Sequence, residues 1–322
     1  MHEAAREVLR LSKEQGDATA EVVGHRIVGT SLFQLGRLAE SRAHLEAGVA
    51  LYDPVRDRDS RFVYAIHSRV VCLHWLAHAL LILGYPEQAR ARSNEALACA
   101  RELAHANTMA QALLCDCTLH QLLRNGREAR SRADPLIALA TEHRFPLWLA
   151  AGLVIRGWAL AHDARAEDGT VAIGQALADY QATGAEMWAP YFLGLLADAH
   201  GRADQAAIGL SLLADALDGV ERTGVRWIEA ELHRFRGELR LALPESDQSE
   251  AEACFCRALA VASEQQAKLW ELRAATSLAR LWRDQRRRNE AHDLLAPIYG
   301  WFTEGFDTAD LKDARALLGE LR

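Results

Sequence analysis

Residues 26–53, RIVGTSLFQLGRLAESRAHLEAGVALYD, decide the fold. A first helix carries a small residue, Gly29, at its centre; Gly36 then offers a turn, and a second helix carries Ser41, Leu45 and Gly48. Small side chains where two antiparallel helices cross let the backbones approach closely, and bulky neighbours such as Leu45 fill the grooves beside them. The stretch therefore reads as a helical hairpin. One hairpin cannot cover its own apolar face, so neighbours of the same kind must stack on it.

The rest of the chain supplies them. WLAHALLILGYPEQARARSNEALACA puts Ala77, Gly84, Ala89 and Ala96 at the corresponding places, and YFLGLLADAHGRADQAAIGLSLLADAL does so with Gly194, Gly201, Ala206, Leu210 and Leu213. Weaker copies centre on Cys117/Ala129, Gly157/Gly169, Gly237/Ala251 and Ala279/Ala291. In every copy the small residue of the first helix precedes that of the second by twelve to fourteen positions, and units recur at a spacing near 40 residues. This array resembles a tetratricopeptide array with a period longer than that family's. The resemblance implies an all-α fold, a right-handed superhelical solenoid of antiparallel helical hairpins forming a single unit over 1–322. Within it, 1–16 reads as a half repeat, 22–302 as about seven hairpins and 307–322 as a C-terminal capping helix. Two inserts interrupt the units: the charged YDPVRDRDSR at 52–61, expected to be mobile, and LPESDQSE at 243–250, between the helices of the sixth hairpin.

The two ends carry further information. In LLAPIYGWFTEGFDTADLKDARALLGEL, 294–321, a helix over 289–302 is expected to end near Gly305 in a left-handed turn. Asp307 or Thr308 then offers an N-cap to a final helix with Leu311, Ala314, Leu317, Leu318 and Leu321 at helical spacing. That helix is expected to cap the open end of the stack, with Tyr299, Trp301, Phe302 and Phe306 in the seam beneath it. The N-terminal EAAREVLRLSKEQGD reads as a second helix without its first, so the chain is expected to be the C-terminal portion of a larger molecule.

The tail, with RAATSLARLWRDQ (273–285), EAEACFCRAL (250–259) and ERTGVRWIEAELHRFRGEL (221–239), closely resembles the C-terminal repeat region of large bacterial signalling proteins. Those proteins combine a class III adenylate/guanylate cyclase or other output domain, a P-loop ATPase domain and a tetratricopeptide sensor tail. The resemblance covers essentially the whole chain and implies a regulatory array. It implies nothing catalytic here, since no G-x-x-x-x-G-K-[ST] occurs and no cyclase aspartates lie in a strand context.

Composition narrows the function further. Half of the 322 residues are apolar and the formal net charge is -7, so no basic stripe is available to neutralise nucleic-acid phosphates. No apolar run approaches the roughly 20 residues of a membrane span, and the acid-containing N-terminus is unlike a signal peptide; a cytoplasmic location is expected. Cys115/Cys117 and Cys254/Cys256 stand two apart on helices and face opposite sides, so the six cysteines read as buried free thiols. His74 and His78 in HWLAH have a zinc-compatible spacing, but the HExxH glutamate and a third ligand are missing. No metal, no cofactor and no catalytic constellation is expected. The acidic pairs Glu229/Glu231 and Glu250/Glu252 read as solvated faces.

Binding is the expected chemistry, and repeat geometry says where. First helices of stacked hairpins line the concave surface, so positions three before, one after and four after each central small residue share a stripe. That stripe gives Arg26, His74, His78, Gln121, Trp158, Tyr191, Asp198, Arg234, Glu238 and Arg280, with His162 and Trp188 beside it. Polar and aromatic residues there suit a peptide, a protein or a small-molecule effector. For Trp158 and Trp188 singly, ordinary packing between hairpins competes with that reading. Two functions follow: a sensor module signalling to an N-terminal ATPase or cyclase-type region, or an autonomous scaffold that holds partners or forms a homodimer.

Overall fold

A computed structural model describes residues 2–57, 66–163 and 165–322. Among the described residues there are sixteen helices and no strand: α1 (His2–Gln15), α2 (Ala18–Gln34), α3 (Leu38–Leu51), α4 (Ser68–Ile82), α5 (Pro86–Leu103), α6 (Ala106–Leu122), α7 (Gly126–Glu142) and α8 (Pro146–His162) in the N-terminal half. The C-terminal half adds α9 (Ala166–Ala182), α10 (Ala189–Arg202), α11 (Ala206–Thr223), α12 (Glu229–Leu241), α13 (Gln248–Glu264), α14 (Lys268–Asp284), α15 (Arg288–Gly300) and α16 (Ala309–Leu321). None is long and apolar enough to cross a membrane.

Helices pack against their sequence neighbours, and the small residues lie at the crossings. A Cβ at Gly29 would stand 2.7 Å from Leu45 Cδ2, and Ser41 Oγ donates to the Gly29 carbonyl at 2.7 Å. A Cβ at Gly237 would meet the Phe255 ring at 2.5 Å, so glycine is what lets that ring be buried. The turn after α10 differs from expectation. Gly201 lies within the helix, where it makes room for Leu239, and the left-handed residue is Asp204. Asp57 corrects the expectation for the first part of the charged insert: buried, it accepts from the Asp53 amide at 2.9 Å and from Thr19 Oγ1 at 2.5 Å. Residues 58–61 of that insert lie outside the described residues. The second insert ends in an N-cap, Asp247, which accepts from the amides of Ser249 and Glu250.

The superhelix closes on itself within one turn. The Arg226 amide donates to the Gln34 carbonyl at 2.6 Å, Gln265 Nε2 donates to the Arg226 carbonyl at 2.9 Å, and the Phe33 and Trp227 rings lie 5.3 Å apart. A second seam joins the tail to α4–α6: Trp301 packs on Gly84 and Tyr85, and Glu304 accepts from the amide of Glu87 at 2.8 Å. Helix α16 consequently does more than cover the end of the stack. It packs on α14 and α15 and also reaches back across the ring, where Arg124 bonds Asp310 and Asp313. The preceding helix ends at Gly300, two residues before its expected end, because residues 301–308 form this seam. Phe302 is buried in it as expected, while Trp301 and Phe306 stay partly exposed.

Gly305 sits at the tightest point. Its φ is +75°, and a Cβ there would overlap Pro86 Cγ. Gly305→Ala is expected to lower stability by about 1–3 kcal/mol through backbone strain and loss of the seam. Gly300→Ala, where a Cβ meets nothing within 4 Å, is the control and should be neutral or stabilising by up to about 1 kcal/mol in chemical denaturation.

Candidate functional site

The first helices of the pairs, α2, α4, α6, α8, α10, α12 and α14, form the inner wall of the ring. Because the ring closes in one turn, facing inner helices meet, and large side chains at their inner positions fill the axis. Trp75 stacks on Trp188 at 5.4 Å and 21°. Phe33 lies 4.9 Å from Trp75, and Tyr191 and Trp188 lie 5.3 and 6.1 Å from Trp227. This aromatic plug corrects the expectation of an open groove along the whole axis. His74, His78 and Tyr191, expected to face solvent, are buried in it.

Each buried polar residue in the plug is tied to a neighbour through at least one atom. Tyr191 Oη donates to Gln121 Oε1 at 2.5 Å. His78 Nδ1 donates to the His74 carbonyl at 2.9 Å, and Gln111 Nε2 donates to His74 Nδ1 at 2.6 Å. The Nε2 atoms of both histidines have no partner. Burial holds His78 down at about 4 and His74 well below the usual histidine range, so both are neutral at pH 7.

The plug leaves two mouths. One, a cleft of about 170 Å³ at the C-terminal ends of the inner helices, is lined by Gln121, Trp158, His162, Asp198, Arg234, Glu238 and Arg280 from the sequence stripe. Trp158, itself buried, packs on His162 at 4.1 Å. Asp198 accepts from His162 Nε2 at 2.9 Å and from Arg202 at 3.3 Å. Burial alone would raise its carboxyl; the His162 hydrogen bond and the Arg202 and Arg234 charges overcome this and hold it at about 2. Arg234 bridges Glu231 and Glu238, both at 2.5 Å, and Ser277 Oγ donates to Glu238 at 2.9 Å.

Sequence reasoning missed the other half of this mouth. Arg273 pairs with Glu231 at 3.2 Å and Asp310 at 2.9 Å, and it also donates to the Leu122 carbonyl at the end of α6. Arg124 pairs with Asp310 at 3.0 Å and Asp313 at 2.9 Å, and Arg280 lies 3.6 Å from Asp313. Glu229 and Glu231 are therefore buried and not solvated, because Arg226, Arg234 and Arg273 face them. Five arginines meet five carboxylates in the lining, a balanced lattice that suits a partner bearing both charges. Asp310 betrays itself in sequence only as a first-turn acid of a terminal helix. Arg124 does so only as a bulky residue at a turn, with φ +58°.

The other mouth, of about 1070 Å³, opens between the C-terminal half of α2 and the N-terminal ends of the inner helices that follow it, and is mostly apolar. Arg26 and Trp188 line it. The thiols divide as well: Cys72, Cys115 and Cys117 are buried, Cys99 and Cys254 half-buried, and Cys256 exposed, contrary to the expectation for that residue. Among the described residues no group of three or more His, Cys, Asp or Glu could hold a metal.

No family model matches the chain. An uncharacterized protein of Rhizobium meliloti (strain 1021) is 27% identical over 283 residues, 87% of this chain and 27% of that protein. The chain thus spans about a quarter of the length of the curated relative it matches. A Rap protein complexed with competence and sporulation factor superposes with a TM-score of 0.62 at 13% identity, over 94% of this chain and 77% of that one. RapI in its apo form gives 0.54 at 9% identity, with 99% of both chains covered. A signal transduction ATPase with a tetratricopeptide repeat sensor, from Pyrococcus horikoshii, gives 0.51 at 16% identity over 98% of this chain and 45% of that one. The fold is that of the tetratricopeptide-like helical-repeat proteins.

Two measurements probe this core. Asp310→Asn strips a shared carboxylate from two arginines and should cost about 3–5 kcal/mol, whereas Asp307→Asn, at the exposed Arg90 pair, should cost under about 1 kcal/mol. For His78 the folded value lies below the unfolded one, so its stabilisation is complete above pH 6.5 and is lost as pH falls towards 4. From pH 7.5 to 5 the wild type should lose about 2 kcal/mol more than His78→Gln in denaturant titrations.

Proposed function

We propose that this chain is a non-catalytic regulatory module whose charged mouth receives a peptide, protein or small-molecule effector and whose ring closure answers to it. The observation that carries the reading is convergence: seven side chains from α6, α8, α10, α12 and α14 point to one cleft, and the lattice there also fastens α16 to α6. A zwitterionic effector can exchange with these ion pairs one for one, without leaving a buried charge unmatched. Exchange at Asp310 or Asp313 also loosens the seam, so occupancy and ring geometry are linked.

The likenesses support a regulatory setting. A Rap protein is known in complex with competence and sporulation factor, and a signalling ATPase carries a sensor of this fold. The relative from Rhizobium meliloti has nearly four times the matched length. We infer that the module works in the cytoplasm as part of a longer protein and signals to an N-terminal ATPase or cyclase-type region.

The test uses the full-length gene product. Arg202→Glu and Arg280→Glu, at half-exposed positions of the mouth, should each change basal nucleotide turnover by at least about threefold, about 0.7 kcal/mol of coupling or more, with unchanged helix content. Unchanged turnover, or a reading frame without a P-loop upstream, rules the reading out and leaves a scaffold.

A further inference from the structure

The carboxylates of the charged mouth are not equally held. Asp310 has 3% of its side chain exposed and lies between Arg124 and Arg273. Asp313, three residues further along α16, is 36% exposed. Its Oδ2 accepts from Arg124 Nη1 at 2.9 Å and stands 3.6 Å from Arg280 Nη2. The Arg280 guanidinium, 44% exposed, is too far from Asp313 for a hydrogen bond and makes none with any other described residue. Arg202, the other half-exposed arginine of the inner helices here, already donates to Asp198 at 3.3 Å.

A guanidinium offers five N–H donors in one plane, and a planar carboxylate can take two of them at once. Arg280 therefore has a full set of donors turned to solvent at the mouth. Asp313 shows what the Arg124–Arg280 pair accepts: one carboxylate. An exposed ion pair contributes little, so this contact exchanges at small cost, and the released Asp313 side chain returns to water. Five arginines face five carboxylates in the lining, so whatever replaces Asp313 must bring a negative charge of its own to keep Arg124 and Arg280 matched. At about 170 Å³ the cleft is smaller than sites that enclose a whole small ligand, and it suits a charged head group on a short stem.

We propose that Arg280, together with Arg124, receives the carboxylate of a short acidic group, and that Asp313 holds its place until it arrives. The proposal rests on the reading of this mouth as an effector site and names what the effector presents there. Displacing Asp313 removes one of the two carboxylates through which α16 holds Arg124, while Asp310 keeps the other. The seam is thereby loosened and not opened. The same chemistry is offered by an acidic side chain within a peptide and by a free dicarboxylate.

Calorimetric titration of the full chain at about 25 mM salt, where screening is weak, tests it with four probes. They are acetyl-Ala-Glu-Ala-amide, its uncharged counterpart acetyl-Ala-Gln-Ala-amide, glutarate and inorganic phosphate. At least one of the two carboxylate probes should bind saturably at one site, with the glutamine peptide at least about tenfold weaker. Tighter binding of the glutamate peptide assigns the group to a peptide side chain, and tighter binding of glutarate to a free acid. Asp313→Asn removes the internal competitor and should tighten carboxylate binding at least about threefold. Arg280→Gln should weaken it at least about tenfold. Helix content should be unchanged in both, and either variant decides if the other misfolds. No saturation by either carboxylate up to about 5 mM, equal binding of the glutamine peptide, tighter binding of phosphate than of both carboxylates, or unaltered binding in Asp313→Asn or Arg280→Gln overturns the proposal. Such a failure alongside altered turnover in Arg280→Glu removes the carboxylate and leaves the mouth an effector site for other chemistry. Carboxylate binding with unaltered turnover in Arg202→Glu and Arg280→Glu keeps the site and ends the signalling reading.

Discussion

Arg273 is the joint on which the ring depends. From α14 it reaches Asp310 on α16, Glu231 on α12 and the Leu122 carbonyl at the end of α6, while its guanidinium lies 5.0 Å from the Trp270 ring. Four elements far apart in sequence meet at one planar group. Only arginine offers enough donors in a fixed plane to satisfy two carboxylates and a helix-end carbonyl together, and that carbonyl is one the helix cannot satisfy itself. Burial works against both partners. Their mutual attraction and hydrogen bonds outweigh it, which is why the Asp310 carboxyl stays below its ordinary range.

Closure has a consequence for the rest of the inner face. Nearest-neighbour stacking alone would leave an open superhelix with a continuous groove. Once the end of α2 is drawn against Arg226 and Trp227 before α12, and the segment before α16 against the start of α5, the inner aromatics meet and exclude solvent from the middle of the axis. Phe33, Trp75, Trp188, Tyr191 and Trp227 form a plug, and what would have been one groove becomes a charged mouth and an apolar one.

Local relations were legible in the sequence, and distant ones were not. Gly29 with Ser41, and Gly237 with Ala251, announce helix crossings because a spacing of a few turns encodes them. The stripe also placed six residues on one mouth from register alone, with His162 beside them. Arg124 and Asp310 are 186 positions apart, and nothing in either neighbourhood marks the pairing. Gly305 was readable as a left-handed turn, but not as the point where Pro86 needs space. Glu231 looked solvated because acids two apart on a helix diverge, and only the fold brings Arg234 and Arg273 to it. His74, His78 and Tyr191 had the correct face and the wrong environment, since register gives direction and only closure decides what lies there.

The plug also gives the two mouths a shared wall. Trp188, which lines the apolar mouth, lies 5.7 Å from Tyr191, whose hydroxyl bonds Gln121 in the charged mouth. The next residue, Leu122, supplies the carbonyl held by Arg273. This chain of contacts is continuous and contains no flexible surface side chain. Contiguity by itself does not couple two sites, because coupling needs an element with two arrangements that both sites bias. The seam is the candidate for that element: a packed core deforms little, whereas the ion pairs that tie Arg124, in the turn after α6, to Asp310 and Asp313 on α16 can open without breaking any helix. A shift of Trp188 would be passed through Tyr191 and Gln121 to the end of α6, and the least costly place for it to be absorbed is the seam that Arg273 holds closed.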